Sequence, residues 1–381
     1  MSRTDVPIPP ASGRAEGARG PLALLAVGGA TFLVGLFAAP AAVWPAYLLG
    51  VFALTTAGLG AAVFVALHHV TGARWGRAVL PVAHAMVAVL PWAGLAHLVL
   101  AFGASTLYPW ADAAAVATDH ALSGRAGWMT VPFVLARAVV AFAVWVVLGR
   151  VLVARSRAAA AHDSAGTRAA AGRAGAWFLL AFAPTFSVYG FDAVLSLERT
   201  FASTMFAVYH FSGLFLGALA LVTILAVRER RRGELAGGPA WDETQHDLGK
   251  LVFAFAFFWG YIWYCQFMLI WYTNQPHEST YYAVRTGVDW RVLFFATVVL
   301  KWAVPFVLLL SRAGKRRLAM LTLAAGSALL GHWLDLYVMI VPGVLPDRPM
   351  PGLLEVGLAL GVGTACVWTL RFPGLSTTGS R

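Results

Sequence analysis

This sequence predicts an all-α bundle of membrane-spanning helices, and three observations carry the prediction. Of its 381 residues 60% are hydrophobic and only 12% charged, more apolar surface than a water-soluble domain can hide. The apolar residues gather into ten runs of about 20 residues, the length that crosses a hydrocarbon core of roughly 30 Å. The basic residues are sorted between alternate loops. Strands of a membrane barrel would be about half as long and would alternate in polarity, which these runs do not.

The runs follow in order. Residues 1–20, rich in Pro, Gly, Arg and Ser, read as a disordered tail. The first run, 22–39, has no small-residue cleavage site and is followed by other spans, so it reads as a span and not as a signal peptide. The second, 46–67, carries the small residues 58–62, which permit close helix packing in lipid. The third, 79–102, contains Pro91, the kind of residue that breaks a helix near the midplane. A longer loop, 103–130, with Trp110 and Trp128, leads to the fourth run, 131–154; a short connection joins the fifth and sixth, 174–195 and 201–227. The seventh, 251–272, is dense in rings (Tyr261, Trp263, Tyr264, Trp271, Tyr272) that suit an interfacial belt or a slot for a quinone. A second long loop, 273–290, carries Tyr281 and Tyr282 and leads to 292–310; then come 318–341, with small residues at 326–331, and 353–370. Rings in the two long loops suit the headgroup level or a partner protein. Residues 21–372 thus form one integral membrane domain, with 373–381 as a second tail. Spans two to five and six to nine suggest two four-helix groups plus two peripheral helices, without an internal repeat in the letters.

The net charge of +11 is topological. With the N-terminus inside, 21 of the 28 Lys and Arg are cytoplasmic: in the N-terminal tail, at Arg74 and Arg77, in 150–173, 228–250 and 312–317, and at Arg371 and Arg381. Five lie opposite, at Arg125, Arg199, Arg285, Arg291 and Arg348. This is the positive-inside asymmetry, placing both termini in the cytoplasm; it gives weak attraction to anionic lipid and no case for nucleic acid. Cys265 and Cys366 sit in separate spans with no C-x-x-C, so the sequence offers no ligand set for an iron–sulfur cluster, a c-type haem or cysteine-bound zinc.

Ionisable groups inside the spans are costly in hydrocarbon, and each is therefore a functional candidate. Counting helical rise, Asp192 lies roughly 5 Å, His97 about 8 Å and Arg137 about 9 Å from the outer end of their helices. Asp335 and His332 lie roughly 9 to 14 Å deep and His210 about 14 Å, with Lys301 near the midplane. His84, His68 and His69 sit towards the cytoplasm; His68–His69 reads as an interfacial helix end. The three-residue spacing of His332 and Asp335 puts both on one face, where they can hydrogen-bond, relay a proton or simply staple two helices. Arg137 is expected to neutralise Asp192 or Asp335. Lys301 has no acid at its depth, so it either snorkels or is held by carbonyls and water. His97 and His210 could clamp a b-type haem, but His84 and His97 are thirteen residues apart on different faces, and no second helix carries a matching pair.

Two stretches resemble a known family: FAPTFSVYGFDAVLSLERTFASTMFAVYHFSGLFLG at 182–217 and QHDLGKLVFAFAFFWGYIWYCQFMLIWYTNQPHE at 245–278. With LHHVTGARW at 67–75, VPFVLARAVV at 131–140 and WLDLYVMIVP at 333–342, they resemble the ActF-type membrane subunit of alternative complex III, a bacterial quinol:cytochrome c oxidoreductase. After SLE the family commonly continues with Pro and Trp, where this chain has Arg199, Thr200 and Phe201, so its loop between spans five and six differs.

The resemblance implies an NrfD-like, quinone-reactive fold of ten helices in two four-helix groups. It implies partners: a multihaem cytochrome c subunit, an iron–sulfur subunit, a paralogous NrfD-like membrane subunit, and a terminal oxidase in some assemblies. The expectation is a respiratory-chain subunit, inactive alone, that supplies a proton path and a quinone site and holds no haem, iron–sulfur cluster or other metal itself. Asp192, Asp335, His332, His97, His210, Arg137 and Lys301 are the candidate proton path. His97, Arg137, Asp192 and Asp335 are the candidate quinone head-group site. His246, Asp247 and Lys250 of the HDLGK motif are candidates for proton intake from the cytoplasm. The alternatives are a structural scaffold of the same complex and an independent ion-coupled transporter.

Overall fold

The computed structural model describes residues 11–233, 235 and 238–371, which contain helices and no strand. The expected C-terminal tail lies outside the described residues, as do residues 1–10. The other half of the expected N-terminal tail is helical from Ala11.

Thirteen helices carry the architecture: α1 (Ala11–Ala38), α2 (Pro40–Val70), α3 (Leu80–Val87), α4 (Leu90–Val99), α5 (Val131–Ala161), α6 (Ala165–Ala193), α7 (Phe206–Arg231), α8 (Pro239–Thr273), α9 (Pro276–Thr286), α10 (Arg291–Val298), α11 (Val304–Leu309), α12 (Leu318–Val344) and α13 (Leu353–Arg371). Expected spans two to nine fall on eight helical stretches long and apolar enough to cross a membrane. The first and last expected spans fall on α1, whose apolar part is the shorter Leu22–Ala38, and α13. These two pack on each other and on α2. Their contact is backbone-close, because a Cβ on Gly28 would come within 2.9 Å of Gly361 Cα.

One four-helix group comprises α2, the broken span α3–α4, α5 and α6; the other comprises α7, α8, the span α10–α11 and α12. They meet where α2 packs on α7 and α12. Burial follows composition. α2 is apolar all round, and 89% of its apolar stretch is buried against 28% for α5, so α2 is the axis and α5 keeps a lipid-ready face. At the α2–α7 contact a Cβ on Gly60 would lie 2.3 Å from Ala218 Cβ and 3.0 Å from the Leu214 carbonyl. Gly60→Leu should therefore drive the two groups apart, costing about 1–3 kcal/mol or more, read as a lower melting temperature in detergent.

Proline sets both interruptions. Pro91 has no N–H and its ring crowds the carbonyl four residues back, and the third span breaks just after Val87. Pro305 does the same to the carbonyl of Lys301, and residues Val299–Ala303 relax into a π turn. The Leu300 carbonyl at that turn accepts a hydrogen bond from Ser327 Oγ at 2.7 Å. Gly331 lets α12 approach, since a Cβ there would meet Lys301 N at 2.8 Å.

The long loops were expected to hold rings at the headgroup level. Trp128 is exposed, but Trp110 and Tyr281 are buried. Both loops fold back as short helices over the bundle: Asp112 and Asp119 cap two of them, and α9 forms the third. This is the loop-rich end of the molecule; the opposite end carries most of the arginines.

Candidate functional site

Apart from the histidines near the arginine-rich end, two clusters of ionisable side chains lie inside the bundle among the described residues. The deeper one is built by α2, α7, the π turn and α12. Lys301 is fully buried; its Nζ pairs with Asp335 Oδ2, lies 3.2 Å from His332 Nδ1 and sits 4.6 Å above the Trp259 ring. Tyr209 donates its hydroxyl to Asp335 Oδ1. His332 Nε2 is 3.3 Å from Thr56 Oγ1, which donates its own proton to the Ala53 carbonyl at 2.9 Å. Thr56 must then accept, so Nε2 carries the hydrogen and Nδ1 is left to accept from the lysine ammonium. The arrangement is a neutral histidine beside an ion pair. Two glycines of α7 leave the space: a Cβ on Gly213 would be 2.9 Å from Lys301 Nζ, and one on Gly217 2.4 Å from His332 Cδ2.

This corrects two expectations from spacing. His332 and Asp335 share a face as predicted, yet each engages Lys301 between them. Lys301 does have an acid partner, because its long stem crosses the single turn of depth that Cα counting placed between it and Asp335. His210, on the same helix as Tyr209, contacts Met339 Sδ through Nε2 at 3.1 Å, and its Nδ1 is buried without a hydrogen-bond partner among the described residues.

The second cluster lies between α4, α5 and α6, nearer the loop-rich end. Arg137 binds Asp192 bidentately, Nε to Oδ2 at 2.7 Å and Nη2 to Oδ1 at 3.0 Å, and donates to the Trp128 carbonyl at 3.0 Å. Trp128 and Phe133 cover the guanidinium at 4.3 and 4.4 Å. His97 Nδ1 lies 3.3 Å from the Tyr189 hydroxyl. All three candidates line one cleft of about 370 Å³ whose other walls are apolar, among them Leu100, Val134, Pro184 and Val188. The structure thus brings together His97, Arg137 and Asp192 of the expected head-group site, and places Asp335 in the other cluster.

Aromatic rings join the two clusters. Tyr189 stacks on Phe52 at 5.5 Å and Phe52 packs on His210 at 5.3 Å. On the loop-rich side of Asp335 is a crevice of about 10 Å³, room for about one water, lined by Tyr209, Gln266, Tyr281 and Arg285.

The HDLGK residues behave differently. Asp247 pairs with Lys250 on its own helix, and His246, Asp247 and Lys250 line none of the cavities described here. Their neighbours dock the helix: Thr244 Oγ1 donates to the Trp75 carbonyl at 2.7 Å and Gln245 Nε2 to that of Arg316 at 2.8 Å. The aromatic run of α8 makes no slot, because Tyr261, Tyr264, Trp271 and Tyr272 are exposed and only Trp263 is buried.

Sequence reasoning missed Tyr209, Tyr189, Thr56 and Trp259, whose letters look like ordinary span residues. It also missed Arg285, 1% exposed, which donates to the carbonyls of Tyr281 (2.9 Å), Val338 (2.9 Å) and Met339 (3.0 Å) and to Glu198 (2.8 Å). A signal existed: Pro342 leaves the Val338 carbonyl without its helical donor, and a membrane protein must supply another.

Fold and clusters together define a class, a polytopic helical membrane protein with paired charges buried inside its bundle. Neither a protein-family model nor a curated protein matches the sequence.

Proposed function

We propose that this chain is a membrane subunit of a bacterial quinol:acceptor oxidoreductase, providing a quinol cleft and a proton path while the electrons pass to redox centres on partner subunits. The observation that carries this reading is the Arg137–Asp192–His97 cleft together with the buried hydrogen-bonded group Tyr209, Asp335, Lys301 and His332, the two held in ring contact by Tyr189, Phe52 and His210. Phe52 carries no proton, so in this reading protons cross that gap on water. An apolar cleft with a few convergent polar groups at one end suits a quinone ring. Quinol oxidation releases two electrons and two protons; His97 and Asp192 take the hydroxyl protons, and Arg137 orients Asp192 and balances its charge. In this reading the loop-rich end faces the periplasm, where a multihaem cytochrome c and an iron–sulfur subunit dock beside a paralogous NrfD-like subunit. The arginine-rich end and both termini face the cytoplasm, by the positive-inside rule. The test is Asp335→Asn in the assembled complex: quinol:cytochrome c turnover should fall about a hundredfold with haem content unchanged. Unchanged turnover would remove Asp335 from the path.

A scaffold reading draws support from Arg285, which joins α9 to α12 and to Glu198 with no cleft chemistry. Under that reading, substitutions that remove buried charge lower the yield of complex and leave the specific activity of whatever assembles.

A further inference from the structure

At the arginine-rich end, the tips of α2, α3, α5, α6 and α7 enclose a cavity of about 850 Å³ that the quinol reading does not use. Four arginines, Arg74, Arg77, Arg157 and Arg168, reach its wall, with Glu229 the one acid among the lining residues. Glu229 pairs with Arg232 at 3.6 Å, and Asp163 beside the cavity takes Arg77 at 3.2 Å and Arg168 at 2.5 Å. Arg74 and Arg157 are left without an acid partner among the described residues. Deeper in, His69 Nε2 and His84 Nε2 contact Ser156 Oγ at 2.7 and 2.9 Å. One hydroxyl proton can serve only one of these rings, so the other donates to the oxygen. His68, 4% exposed, also lines the cavity, and its Nδ1 is buried without a partner. Leu80, Pro81, Val82 and Leu235 form an apolar flank.

The site therefore has surplus guanidinium donors at its mouth and an apolar side wall. Cations are disfavoured there, and guanidinium groups with spare N–H donors match a phosphate. We propose that this cavity binds a phosphate group, either the headgroup of an anionic phospholipid or a free phosphorylated solute. In the lipid case the apolar flank carries the start of an acyl chain, as in other basic pockets between membrane helices. The site is independent of any quinol chemistry and stands whether or not that reading does.

The test uses the full chain with whatever subunits purify with it. Native mass spectrometry would count phosphatidylglycerol retained from phosphatidylcholine nanodiscs doped with it. A parallel melt in zwitterionic detergent would compare inorganic phosphate with chloride at equal ionic strength. The double variant Arg74→Gln/Arg157→Gln removes the two arginines without an acid partner, both on exposed positions that fold does not need; Arg155→Gln, exposed on the same helix but outside the cavity, controls for lost surface charge. Retained phosphatidylglycerol that falls roughly tenfold or more in the double variant and holds in the control identifies a lipid site. Stabilisation by inorganic phosphate, lost in the double variant and without lipid retention, identifies a soluble ligand. Equal behaviour of wild type, double variant and control in both assays overturns the proposal.

Discussion

Lys301→Met is expected to destabilise the protein by about 3–5 kcal/mol, because it leaves the buried Asp335 carboxylate without its cation. Replacing both partners removes the unpaired charge: Lys301→Met/Asp335→Leu should melt above Lys301→Met, since apolar residues often match a buried pair. It should still fall below the wild type, by the ~1–3 kcal/mol of a Tyr209 hydroxyl left without its acceptor. The pair is therefore predicted to be a poor source of stability and a costly thing to halve. Thermal melts of the four members of this cycle, in one detergent, give the coupling directly. Near-additive losses would mean that the lysine and the aspartate do not share a site. Under the quinol reading the double variant assembles and does not turn over, which separates a proton path from a scaffold.

The second large effect belongs to Arg285. Arg285→Met should cost about 3 kcal/mol or more, leaving Glu198 unpaired and the Val338 carbonyl without a donor. Arg285→Lys should recover only part, because one ammonium cannot reproduce a fork that spans two consecutive carbonyls of α12 and a carboxylate. Pro342→Ala is the informative partner. It returns a backbone N–H four residues after Val338, so in the Arg285→Met background it should restore about 1 kcal/mol. In the wild-type background it has little to repair. If Pro342→Ala has the same effect in both backgrounds, the arginine does not stand in for the missing helical bond.

The candidate site was half legible. Depth counting grouped His97, Arg137 and Asp192, which do line one cleft, because all three lie within about two turns of the same helix ends. It could not separate Asp335 from them, since depth says nothing about position around the bundle. It also treated Lys301 as a point on its helix axis, when the π turn and the side-chain stem carry its charge to Asp335. Tyr209 and Thr56 were invisible because a tyrosine or threonine in an apolar span is ordinary until its neighbour is known. His68 and His69, read as the end of a helix, line the largest cavity described here, which forms only when five helix tips converge.

Run length, polarity and the sorting of arginines were enough to establish an all-α membrane bundle and the approximate bounds of eight spans. Hydrocarbon imposes that result locally: each run must satisfy its own backbone and its own transfer free energy. Which charge meets which, where prolines open the helices, and what fills the space between the two four-helix groups were decided by tertiary structure alone. Those outcomes depend on glycines that let helices approach, at Gly60, Gly213, Gly217 and Gly331, and on the rotation each approach imposes. The letters name the residues that can come close; only packing across the bundle selects the ones that do.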